Sequence, residues 1–129
     1  MIESRLSDDG TMFVHRASGT VGRFDLFVAV NHWFDDPHFD PMLPVLWDLR
    51  GAVIDVSLSE VQLRPSAFAD TINAIRANAK TAIVLSSRLS VTMVETFVQL
   101  RPWQIQIEIF ENDVDGAIAW LRADRQQIG

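Results

Sequence analysis

Pro44-Val45-Leu46-Trp47-Asp48-Leu49-Arg50-Gly51 decides the fold class. A compact apolar run that closes on Asp, Arg and Gly has the pattern of a strand buried on both faces, carrying polar groups to its carboxyl end. Thr81-Ala82-Ile83-Val84-Leu85 has the same character, with Ser86-Ser87-Arg88-Leu89-Ser90 as its exit loop. Continuous apolar strands of this kind belong to parallel sheets covered by helices, and the flanking segments supply those helices.

Upstream, Ser18-Gly19-Thr20 punctuates the chain, and Thr20 is placed to cap a helix that runs to about Phe34 and stops before Pro37. Phe24, Phe27, Val28 and Phe34 fall along one side of this helix, and Leu26, Val30 and Trp33 spread onto another. That apolar surface is wider than one core stripe needs. The helix is therefore expected to sit deep, or to cover a partner, a second subunit or an apolar ligand. Further upstream, Ile2 to Asp8 and Thr11 to Ala17 flank Asp9-Gly10, a dipeptide suited to a type I′ hairpin turn.

Downstream, Ala52 to Leu58 reads as a weaker β-run interrupted by Asp55 and Ser57. Pro65 suits the first turn of a helix in which Phe68, Ile72, Ile75 and Ala79 share a face. Ser90 is placed to cap a third helix bearing Val91, Val94, Phe97 and Val98, ended by Pro102. Gln104 to Phe110 alternates, with Ile105, Ile107 and Ile109 facing one way. Asn112 or Asp113 caps a last helix with Val114, Ala117, Ile118 and Leu121 as its buried stripe. The order ββαβ(β)αβαβα predicts a single-domain α/β sandwich over residues 1–129, with a mixed, mainly parallel sheet, an N-terminal β-hairpin and four helices.

Composition narrows the function. The chain has 129 residues, about the usual size of one domain, which is enough to bury a core without a metal or disulfide staple. The formal charge of −6 argues against a nucleic-acid partner, since such proteins present a basic patch. The absence of cysteine excludes disulfides, cysteine zinc sites and thiol catalysis. The start of the chain has no signal-peptide pattern, and no apolar run is long enough for a transmembrane segment. A cytoplasmic location is the expectation.

The elements from Thr20 to Leu121 carry a family resemblance. A helix ends near Asp36-Pro37, followed by Val45-Leu46-Trp47-Asp48-Leu49-Arg50-Gly51. Next stand Thr81-Ala82-Ile83-Val84-Leu85-Ser86-Ser87 and a helix containing Met93 and Phe97. Ile109-Phe110-Glu111-Asn112-Asp113 and Ala117-Ile118-Ala119-Trp120-Leu121 close the pattern. Over about four fifths of its length the chain resembles the small bacterial SpoIIAA-like proteins, of the STAS and CRAL-TRIO-like α/β fold. The resemblance implies a binding role rather than a reaction. Anti-sigma-factor antagonists of this fold use a serine at a helix N-terminus as phosphoacceptor and docking switch; CRAL-TRIO-like relatives enclose lipids or other apolar ligands. At the corresponding place this chain has Ser57 and Ser59, without the family's Asp-Ser-(Ser/Gly)-Gly-Leu type of motif.

Among local constellations, His32, Asp35, Asp36, His38 and Asp40 could chelate a divalent ion, but their spacing matches no zinc motif, and they fall where a helix runs into a Pro-containing loop. They read as solvated, and no metal or cofactor is expected. His15 lies in a strand without a sequence-local nucleophile or carboxylate. There is no Gly-x-Ser-x-Gly elbow, and Gly19-Thr20-Val21-Gly22 is not a phosphate loop. No catalytic residue is assigned. Ligands of open α/β sheets bind at the carboxyl ends of the strands, which here means Asp48, Arg50, Ser86, Ser87, Arg88 and Ser90.

The reading is a non-enzymatic STAS-like binding module for a hydrophobic or amphipathic small molecule, or for a protein partner, with homodimerisation possible. Arg50 and Arg88 would hold an anionic head, while Phe24, Leu26, Phe27, Val30 and Trp33 supply an apolar wall or interface. The alternative is a phospho-regulated antagonist acting through Ser57 or Ser59. A small-substrate enzyme comes third.

Overall fold

Asp9-Gly10 does turn the chain, but by a longer loop than expected. The structure is a computed structural model that describes residues 1–37, 39–55, 74, 79–99 and 105–123, with the side chains of residues 23, 27 and 97 left aside. Strand β1 (Ile2–Leu6) pairs antiparallel with β2 (Phe13–Val21). The Gly10 N–H donates to Ser7 O at 2.9 Å, and the Ser7 N–H to Met12 O at 2.8 Å. Gly10 is left-handed, with φ of 71°, whereas Asp9 has no positive φ. A type I′ turn needs positive φ at both central residues, so this is a four-residue loop instead. Its side chains explain the difference. The Asp9 carboxylate accepts from Ser7 Oγ (2.7 Å), Thr11 Oγ1 (2.7 Å) and Thr11 N (3.1 Å).

Strand β2 runs through the Ser18-Gly19-Thr20 stretch to Val21, so Thr20 is a strand residue and not a helix cap. Parallel pairing with the next strand, Ser18↔Gly51 to Thr20↔Val53, overrides the local preference of Ser and Gly for turns. Helix α1 (Arg23–Asp35) is capped at Gly22, whose N–H donates to Asp25 Oδ2 at 2.8 Å. The chain returns as β3 (Val45–Ile54), one long strand where the sequence suggested two runs. It is joined across a β-bulge: between the pairs Arg16↔Asp48 and Ser18↔Gly51, Ala17 faces both Leu49 and Arg50. Then come β4 (Lys80–Leu85), α2 (Arg88–Gln99), β5 (Gln106–Glu111) and α3 (Val114–Arg122). Three helices stand among the described residues; the helix expected from Pro65 lies outside them, apart from Ala74 and Ala79.

The sheet order is β1-β2-β3-β4-β5, antiparallel at the hairpin and parallel at every other pairing. This is the mixed, mainly parallel sheet expected. Strand alternation sorts the core onto two faces. On one, Phe13, Val45 and Ile105 pack with Val30 and Trp33 of α1. Beside them Ala17, Val21, Leu49 and Leu85 pack with Val91 of α2. On the other, Met12, Leu46, Ala82 and Val84 pack with Ala117 and Leu121 of α3.

Capping differs in one place from the sequence reading. Ser87 caps α2: its Oγ accepts from Ser90 N at 3.1 Å, and Ser90 lies inside the helix. For α3, Asp113 is the cap, its Oδ1 accepting from Gly116 N at 2.9 Å. Asn112 is left-handed at φ 55°, and its side chain donates to Ser86 O at 3.1 Å. At the other end of α3, Lys80 Nζ donates to Trp120 O (2.9 Å) and Ala123 O (3.3 Å) and stands 5.0 Å from the Trp120 ring centre.

Candidate functional site: a groove between the first helix and the edge strand

α1 packs on β1 and β2, and its orientation chooses between the two apolar sides seen in the sequence. Leu26, Val30 and Trp33, spaced i, i+4 and i+7, turn toward the sheet, with Val30 and Trp33 buried and Leu26 half-buried. Phe24 and Val28, on the other apolar side of the helix, are outside, at 71% and 52% exposure. Helix periodicity alone could not choose, because apolar residues occur around most of the circumference.

Between α1 and β1 lies a groove of about 570 Å³. Ile2 and Ser4 of β1 and Phe13 of β2 line it from the sheet. From α1 come Phe24, Val28, Ala29 and Trp33, with Asp25, His32, Asp35 and the following Asp36. Residues 25, 28, 29, 32, 33 and 36 follow one stripe of a helix, so a middle of Val28, Ala29 and Trp33, with His32 beside them, is flanked by carboxylates toward both ends. Among the described residues, no Lys or Arg lines the groove.

Aromatic rings support the groove from inside. The Trp33 ring centre lies 5.7 Å from Phe13, 5.8 Å from His15 and 5.1 Å from Phe39. His15 is fully buried and stacks on Trp47 at 3.9 Å. Its Nδ1 lies 2.7 Å from Ser4 Oγ, its cross-strand partner. The sequence reading missed this contact, although the signal was present: a turn centred on Asp9-Gly10 pairs residues whose numbers sum to 19, as Ser4 and His15 do.

The strand-end residues form a separate arrangement. β3 and β4 are neighbours, paired from Val45↔Thr81 to Asp48↔Val84. Asp48, 5% exposed, takes both Arg50 Nε and Nη2 at 2.9 Å in a bidentate pair, and Arg16 Nε stands 3.7 Å away. The Arg50 hydrogen bonds hold the Asp48 carboxyl below its ordinary value, and Asp48 in turn raises Arg50. This cluster lies on the face that carries α3, opposite the groove. Arg88 pairs with Glu111 at 3.7 Å. Ser86 accepts from Asn112 through its carbonyl, and Ser87 and Ser90 are joined at the start of α2. The structure therefore gives Arg50 and Arg88 different carboxylates and places neither in the groove.

Of the apolar wall expected from sequence, Phe24 and Trp33 line the groove, Leu26 and Val30 pack inward, and the Phe27 side chain is outside the described residues. Ser57, Ser59 and His38 also lie outside them. Among the described residues no three His, Asp or Glu side chains gather to hold a metal ion, and no helix is long and apolar enough to cross a membrane.

No protein-family model matches the chain, and no curated protein does. A solved structure does match, that of an uncharacterised protein of the DUF3478 family with a SpoIIAA-like fold, from Shewanella loihica PV-4. The TM-score is 0.55 at 15% sequence identity, covering 94% of this chain and 92% of that one. The chain thus has a SpoIIAA-like α/β fold.

Proposed function

We propose that the chain is a cytoplasmic, non-enzymatic binding module of the STAS-like type, and that the groove between α1 and β1 receives an amphipathic small molecule. One observation carries this reading: Phe24 and Val28 stand exposed on the walls of a groove of about 570 Å³, whose floor includes the buried Trp33. Small-molecule sites commonly have volumes of about 300–1,000 Å³, with apolar linings and a few polar groups. The SpoIIAA-like fold is compatible with such a role. Native mass spectrometry on freshly purified protein tests it. The expected spectrum contains extra mass that is lost on denaturation and is absent from Val28→Glu. Bare wild-type protein, or a Val28→Glu variant that keeps the adduct, counts against the reading.

A further inference from the structure

We infer that the groove is built for a linear aliphatic polyamine, an inference that rests on the binding role proposed above and names its ligand class. Among the described residues, the groove is lined by three carboxylates and the His32 imidazole, with no lysine or arginine. Asp25 lies near one end of α1, and Asp35 and Asp36 at the other. Eleven steps of the chain lead from Asp25 to the C-cap Asp36, or about 16 Å along the axis at the α-helical rise. Between them the wall is formed by Val28, Ala29 and His32, with Trp33 behind.

A molecule complementary to this surface has ammonium groups toward both ends and methylenes between. Its methylenes lie along Val28 and Ala29, and its charges meet the carboxylates. Trp33 and Phe24 contribute aromatic rings, which attract ammonium groups at close range. A fatty acid or phosphate ester would instead bring its anion against aspartates, with no lysine or arginine among the described lining residues to receive it. The net charge of −6 adds a long-range attraction for polycations, so the test must separate the groove from the general field.

Spermine is the probe, titrated calorimetrically into the full-length chain at low ionic strength, with indole NMR signals followed in parallel. Octanoate and octyl glucoside serve as the anionic and neutral comparisons. Spermine is expected to bind and to shift the Trp33 indole signal. Asp25→Asn/Asp35→Asn/Asp36→Asn is expected to weaken binding about tenfold or more, the loss of about 1.4 kcal/mol. Glu95→Gln/Glu108→Gln/Glu111→Gln removes the same number of charges elsewhere and is expected to change it less than twofold. Equal weakening by both triple variants, or spermine binding that leaves the Trp33 signal in place, overturns the inference. If octanoate or octyl glucoside moves the Trp33 signal and spermine does not, the polyamine assignment falls while the binding role stands. If none of the three moves it, both fall.

Discussion

The hydroxyl of Ser4 lies 2.7 Å from Nδ1 of His15, across the first pair of strands and at the edge of the groove. The contact gives a fully buried imidazole a polar neighbour and connects the edge strand to the aromatic cluster of Phe13, Trp33 and Trp47. Removing a hydrogen-bonding partner from a buried polar group costs about 1–3 kcal/mol. Ser4→Ala is accordingly expected to lower stability by about that amount in urea denaturation, and to shift the His15 ring signals. A variant as stable as the wild type, with unmoved His15 signals, would show that the contact contributes nothing.

The Asp48–Arg50 pair makes a pH-dependent prediction. The folded-state value of Asp48 lies below its ordinary 3.8, so the ionised form favours the folded state. That contribution is complete above about 3.8 and is lost as pH falls through the lowered folded value. Arg50→Met leaves a nearly buried carboxylate with Arg16 at 3.7 Å, and should cost about 2–4 kcal/mol at neutral pH. The gap in Tm between wild type and variant should then narrow as pH falls from 5 toward about 2. A gap that stays constant over that range would assign the loss to packing instead.

Asp9 acts in the same sense at the hairpin loop, where the Thr11 and Ser7 hydroxyls lower its value from 3.8 to about 2. Its other oxygen accepts from Arg122 Nη2 at 2.8 Å, joining the hairpin to the end of α3. An NMR titration of the Asp9 carboxyl is expected to find a midpoint well below 3.8, and Thr11→Val to move it upward. A midpoint unchanged by that substitution would remove the hydroxyl as its cause.

Gly116 and Asp113 are coupled through space rather than through sequence pattern. A Cβ at Gly116 would run into the Asp113 carboxylate that caps α3. Gly116→Ala should therefore forfeit the cap, about 1 kcal/mol, and so mask the similar gain that Ala brings to a helix. With Asp113→Ala already present, the same substitution should stabilise by up to ~1 kcal/mol. A double-mutant cycle reads this directly, and additive effects would show that the cap adjusts without loss.

The parts of the fold legible in the sequence were those where local pattern and tertiary environment agree. Thr81 to Leu85 is continuously apolar because β4 is covered on both faces, and the alternation after Gln106 is that of β5 at an edge. Ser18 to Thr20 misled because parallel pairing with β3 holds Ser18↔Gly51 and Thr20↔Val53 in a sheet whatever their turn preference. Gly51 looked like a strand end and is instead a place of close approach, where a Cβ would lie 3.2 Å from Ala17 O beside the bulge. The charged residues Asp48 and Arg50 were visible at i, i+2 spacing, but not the bidentate geometry that commits Arg50 to Asp48. The groove was not legible because it needs the rotation of α1 about its axis, and apolar residues on several sides leave that rotation to packing.

Trp33 and Trp120 lie on opposite faces of the sheet, which makes their indole N–H signals reporters for where a ligand sits. The most direct measurement is therefore a titration of ¹⁵N-labelled protein with Nile red, a neutral apolar dye, following the indole region. Binding in the groove between α1 and β1 predicts a saturable shift of the Trp33 signal while that of Trp120 stays in place. A shift confined to Trp120, or no saturable shift of Trp33 with Nile red or with spermine, would mean that the groove is not the binding surface.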